Sequence, residues 1–123
     1  MGRCVLVVED HPVNLELVTA LLDSLRCRVL PATTAEQALA LAVEERPDLI
    51  LMDLQLPGMS GYEATRRLKA DPRTQAVPVV AVTAHALRAD EERAREAGCD
   101  AFLTKPLNPD QFHETLQRFL SAS

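Results

Sequence analysis

Short runs of branched aliphatic residues recur along the chain: Cys4–Val8 (CVLVV), residues 27–30 (CRVL), 49–52 (LILM) and 79–82 (VVAV), with a weaker fifth at Ala101–Thr104. The segments between them carry helical spacing instead, such as Leu17, Val18, Leu21, Leu22 and Leu25 in the first and Phe112, Leu116, Phe119 and Leu120 in the last. Strand and helix thus alternate five times. Runs such as LILM and VVAV do not alternate polar with apolar residues, so both faces of those strands are expected to be covered, as in a parallel sheet with helices on either side. The pattern predicts an α/β fold: a five-stranded doubly wound parallel sheet with five helices.

Local signals agree with this reading. Thr34 with Gln37, Ser60 with Glu63, and Asn108 followed by Pro109 with Gln111 three on are helix-starting patterns. Pro47, the pair Asp71-Pro72, and Gly98 mark the ends of the second, third and fourth helices. Right-handed crossovers favour the flavodoxin-like strand order 2-1-3-4-5, in which ligands bind beyond the carboxyl ends of the strands.

The 123 residues suit one domain, read as spanning 1–123 with nothing left for an output domain. A net charge of -5 and the lack of any basic run argue against nucleic acid and against an anionic membrane surface. No apolar stretch is long enough for membrane insertion, and the N-terminus does not read as a signal peptide, so a cytoplasmic protein is expected. Cys4, Cys27 and Cys99 form no CxxC pair and read as small buried hydrophobes.

The chemistry collects where the strands end. Glu9 and Asp10 follow the first run, Asp53 the third, Thr83 the fourth and Lys105 the fifth. Parallel strands bring these ends to one edge, so three carboxylates, a hydroxyl and an ammonium are expected to share a shallow cleft. The turn LPGMSG at 56–61 is expected to keep Asp53 accessible. Crowded carboxylates raise one another's pKa unless a cation neutralises them, and an oxygen-only donor set suits magnesium, with manganese as a substitute. Each residue alone has a plainer role: Glu9 and Asp10 as a solvated loop and helix cap, Thr83 as a strand end, Lys105 as a surface lysine, Asp53 as a turn cap. It is their joint arrival from four strands that argues for a site.

In order and spacing, VVEDHP, LMDLQLPGMSGYE, VVAVTAHA and FLTKPL resemble the motifs of response-regulator receiver domains of two-component signalling, over essentially the whole chain. VVAVTAHA and Asn14 look most like single-domain regulators of the DivK kind and the receiver modules of hybrid histidine kinases. The resemblance implies a CheY-like fold and a phosphorelay role. Asp53 matches the phosphoacceptor, which takes a phosphoryl group from a histidine kinase or histidine phosphotransfer protein. Glu9, Asp10, Asp53 and the main-chain carbonyl of Gln55 match the magnesium ligands. Thr83 and Lys105 match the groups that bind phosphoryl oxygens, Thr83 and Phe102 the switch pair, and Pro106 a proline after a cis peptide bond. Ala84 supplies the small residue that admits the phosphoryl group. Gln55 and His85 occupy positions that influence phosphoryl lifetime, although an exposed loop histidine is the plainer reading of His85. The implied output surface is the fourth helix, fifth strand and fifth helix, engaging a downstream protein; a monomer or weak dimer is expected. Such a protein assists its own phosphorylation and dephosphorylation but is not an enzyme acting on other substrates.

Three rival readings are weaker. A hydrolase with an aspartyl nucleophile normally carries a second acid two residues on, where this chain has Gln55. A flavin or nucleotide binder needs a Gly/Ser/Thr-rich phosphate loop where this chain has Glu9-Asp10. A pseudo-receiver that only binds proteins would not need the complete set Glu9, Asp10, Asp53, Thr83 and Lys105.

Overall fold

Alternate residues of each central strand feed two separate apolar layers, as the two-residue period of an extended chain requires. The computed structural model describes residues 3–85 and 87–120. Ala86, in the VVAVTAHA motif, and the last three residues, where the final helix was expected to have already ended, lie outside that range. The element order is β1 (Cys4–Val8), α1 (Pro12–Asp23), β2 (Arg28–Ala32), α2 (Ala35–Glu45), β3 (Leu49–Asp53), α3 (Gly61–Ala70), β4 (Val79–Thr83), α4 (Arg88–Ala97), β5 (Ala101–Thr104) and α5 (Pro109–Leu120). All strand pairs are parallel, and the sheet order is β2-β1-β3-β4-β5, as expected from the sequence.

On one face Leu6, Val8, Ile50, Met52, Val79 and Ala81 pack against α2, α3 and α4. On the other, Val5, Val7, Leu49, Leu51, Val80 and Val82 meet α1 and α5 through Val18, Leu22, Phe112 and Leu116. The central strands β1, β3 and β4 are therefore buried on both sides, which explains their unbroken aliphatic runs.

Thr34 Oγ1, Ser60 Oγ and Asn108 Oδ1 each accept a backbone N–H three residues on, at 3.1, 3.2 and 3.0 Å. The reciprocal half of the capping pattern does not form at two of them. Gln37 accepts from Thr33 N–H rather than from Thr34, and Glu63 turns to Arg66 and Arg67. At the other ends, Arg46 (φ 46°) closes α2 before Pro47, and Gly98 (φ 110°) closes α4.

Several expectations shift. β2 begins at Arg28 and runs to Ala32, because Cys27 N–H bonds back to Leu22 and completes the turn after α1; the edge position of β2 tolerates Pro31. Asp53 and Thr83 stand at the ends of β3 and β4, as expected from the aliphatic runs they follow. Leu17 is exposed, whereas Val18 and Leu22 are buried. Only Cys27 is a buried cysteine; Cys4 and Cys99 are half-buried, and all three thiols are free. No helix among the described residues is long and apolar enough to cross a membrane.

Candidate functional site

The carboxyl ends of β1, β3, β4 and β5 deliver the polar residues. Glu9 extends β1 by one ladder bond, its N–H donating to Ala32 O at 2.9 Å, and the residue is buried. Asp53 is the last residue of β3, paired with Val82, and Thr83 ends β4 beside Thr104. Lys105 follows β5; its N–H donates to Thr83 O at 2.8 Å, and the Lys105–Pro106 peptide bond is cis.

These placements bring one oxygen from each of Glu9, Asp10 and Asp53 to within 4.8 Å of one another. Lys105 Nζ lies 2.9 Å from Glu9 Oε1 and 3.2 Å from Asp53 Oδ2. The second oxygen of each buried acid is also used: Glu9 Oε2 accepts His11 N–H (3.1 Å) and Asp53 Oδ1 accepts Gln55 N–H (2.9 Å). The turn-capping role of Asp53 is thus real, and it coexists with the cluster. Glu9 and Asp53 are each only 4% exposed, which corrects the expectation of an accessible Asp53 in a shallow cleft; Asp10 alone of the three lies open to solvent. His11, not an acid, caps α1 in position, without a side-chain hydrogen bond.

Burial, and after it Glu9 alongside, push the Asp53 carboxyl up to about 6, against the Gln55 N–H and Lys105, which favour its ionised form. Burial likewise works against charge on Lys105, but its bonds to Glu9 and Asp53 prevail and hold the ammonium above its ordinary value. One ammonium faces three carboxylates, so the cluster is left under-neutralised. All its donors are hard oxygens, and it includes no sulfur or imidazole. That donor set and charge deficit fit a magnesium ion.

Thr83 is fully buried, and its hydroxyl donates to Gln55 Oε1 at 2.7 Å while accepting His85 N–H at 3.0 Å. Ala84 and the His85 side chain are exposed. Phe102 pairs with Ala81 in register, and Thr104 with Thr83, so by strand alternation Thr83 and Phe102 face the same side of the sheet on adjacent strands. Phe102 is half-buried and borders a cavity of about 300 Å³ with Glu91, Ala94, Arg95 and Cys99. It stands back from the carboxylates rather than among them.

Two features escaped the sequence reading. A Cβ on Gly61 would collide with the main-chain oxygen of Asp53, so the start of α3 passes directly against the residue that carries the central carboxylate. The Ser60-Gly61 step after a capping residue was the available signal. The Gln55 side chain on Thr83 had no signal, because the bond joins residues 28 apart.

The profile of the response regulator receiver domain matches residues 5–117. The polar-differentiation response regulator DivK of Brucella anthropi is 43% identical over 120 residues, 98% of each chain. Among solved structures, the receiver domain of a Pseudomonas aeruginosa sensor histidine kinase, crystallised with magnesium coordinated in its active-site cleft, superposes with a TM-score of 0.92 at 39% identity, covering 99% of this chain and 100% of that one. A chemotaxis response regulator of Vibrio cholerae gives 0.90 at 28% identity, covering 98% and 100%.

Proposed function

Because this chain belongs to the response-regulator receiver family of two-component signalling, we propose that it carries a phosphorelay signal by accepting a phosphoryl group on Asp53 from a histidine of a kinase or phosphotransfer protein. The observation that carries this reading is the setting of Asp53: a buried carboxylate held by Lys105 and Gln55 beside two further acids.

In this reading the Asp53 carboxylate attacks phosphorus in line. The P–N bond of the phosphohistidine breaks as the O–P bond forms, and the imidazole nitrogen keeps the electron pair. The transition state is loose and spreads charge over the equatorial oxygens, so catalysis reduces to positioning and positive charge. Lys105 supplies a fixed ammonium within reach of Asp53. Glu9, Asp10, Asp53 and the Gln55 carbonyl would hold magnesium, which when bound supplies further positive charge to the phosphoryl oxygens. The Gln55 N–H orients the Asp53 carboxylate, and Ala84 leaves room beside Thr83.

The aspartyl phosphate offers acceptor oxygens that draw the Thr83 hydroxyl toward Asp53. Space vacated behind Thr83 admits Phe102, which changes the face formed by α4, β5 and α5 that a downstream protein reads. Support for this face comes from α4, which presents charged residues outward and buries only Ala94 and Ala97, and from the cavity beside Phe102.

Incubation with magnesium and acetyl phosphate should add one phosphoryl group by intact mass, and Asp53→Asn should abolish it. An unchanged wild-type mass would reject the reading in favour of a protein-interaction module without phosphoryl chemistry. Amide NMR of the phosphorylated protein should show changes extending to α4 and α5; changes confined to the cleft would reject the switch.

A further inference from the structure

Gln55 touches the central carboxylate and the switch hydroxyl at once. Its N–H donates to Asp53 Oδ1 at 2.9 Å, and its side-chain Oε1 accepts from Thr83 Oγ1 at 2.7 Å. A threonine hydroxyl has a single proton to donate. In this structure that proton goes to Gln55, while His85 N–H fills one of the acceptor positions of the same oxygen.

Phosphoryl oxygens are acceptors, so they compete for the same proton. Thr83 can bind them only after leaving Gln55. The competition is uneven in a useful way. Thr83 is fully buried, and its hydroxyl donates to no group but Gln55 among the described residues, whereas Gln55 is exposed and can turn to water. A buried donor is costly to leave unmade, so the Gln55 contact holds Thr83 in its resting place.

We infer that the Gln55 side chain is a positioning residue for Thr83: it latches the hydroxyl before any phosphoryl group arrives, and its strength sets how readily the site switches. This role rests on the reading of Asp53 as phosphoacceptor. It concerns the resting protein, and so differs from control of phosphoryl lifetime through the attacking water. The Gln55 main chain, with its N–H on Asp53 and the carbonyl that would serve as a magnesium ligand, is untouched by side-chain substitution.

Gln55→Met removes the acceptor at similar length, and Gln55→Glu keeps one. The first measurement uses unphosphorylated, metal-free protein: three-bond couplings to the Thr83 methyl, which report its rotamer. Wild type and Gln55→Glu should show one rotamer and Gln55→Met an averaged value; identical couplings in wild type and Gln55→Met would overturn the inference. The second titrates beryllofluoride, a phosphoryl analogue, at saturating magnesium. Gln55→Met should bind it about three- to tenfold more tightly than wild type, the worth of one neutral hydrogen bond. In a Thr83→Val background the same substitution should change nothing. An equal gain in that background, or no gain in the single variant, would overturn the latch. Failure of the wild type to bind beryllofluoride would instead count against Asp53 as phosphoacceptor, leaving the couplings to decide the latch alone.

Discussion

Lys105 Nζ lies 3.2 Å from Asp53 Oδ2, joining residues 52 positions apart across the intervening strand β4. The same ammonium holds Glu9, so one cation keeps two buried carboxylates in place. Removing one member of such a group strands the others without compensation. Lys105→Met should therefore lower stability near neutral pH, in the absence of magnesium, by about 1–3 kcal/mol, less than for a fully buried pair because the lysine is partly solvated. Urea denaturation checks this. Repeated near pH 5, where Asp53 is mostly protonated, it should show a smaller loss.

The raised Asp53 pKa fixes a second outcome. With a value of about 6 in the folded protein and 3.8 when exposed, the folded state takes up a proton that the unfolded chain does not hold. The resulting stabilisation is fully present below the unfolded value and is lost as pH rises through about 6. Metal-free protein should therefore gain about 1 kcal/mol relative to Asp53→Asn between about pH 7 and pH 5. Thermal or urea melts of both proteins in chelator test the sign. Added magnesium should reverse the preference, stabilising wild type more at the higher pH, since a ligand that needs the ionised carboxylate competes with the proton.

What could be read in the sequence follows from what is local or forced by topology. Aliphatic runs and capping residues are local, and parallel strands compel their carboxyl ends to meet, so the sheet order and the meeting of Glu9, Asp53 and Lys105 followed without coordinates. The placing of Asp53 and Thr83 at the ends of their strands was legible too, since each directly follows an aliphatic run, and pairing with Val82 and Thr104 completes the ladder there. Leu17 misled because α1 carries more apolar residues than its packed face takes in: Val18 and Leu22 are buried, whereas Val13 and Leu17 are exposed. Burial of Asp53 was hidden because a polar residue next to a turn gives no local sign of burial, and the groups that hold it, Lys105 and Glu9, come from distant strands.

Tyr62 carries a conflict that substitution should relieve. Its hydroxyl is buried and finds no hydrogen-bond partner among the described residues, while its ring lies 4.1 Å from the Arg93 guanidinium. Tyr62→Phe keeps the ring and the cation contact and removes the unpaired hydroxyl. The variant should be more stable by about 1 kcal/mol, against the usual direction of core substitutions. Chemical denaturation decides it, and a loss of similar size would mean that the hydroxyl is satisfied in solution.

Gly61 ties the geometry of the site to that of α3. A methyl group there would meet the Asp53 main-chain oxygen and lie 2.8 Å from Leu54 Cα, and both are backbone atoms that cannot swing aside as a side chain can. Gly61→Ala must move either the start of α3 or the end of β3. Overpacking of this kind costs about 1–3 kcal/mol, and here the strained element carries Asp53. The variant should therefore lose stability by about that amount and also bind magnesium more weakly than wild type, as measured by calorimetric titration. Ala64→Gly, in the buried face of the same helix, supplies the control: it should lose comparable stability through helix propensity and lost packing while leaving magnesium affinity near the wild-type value.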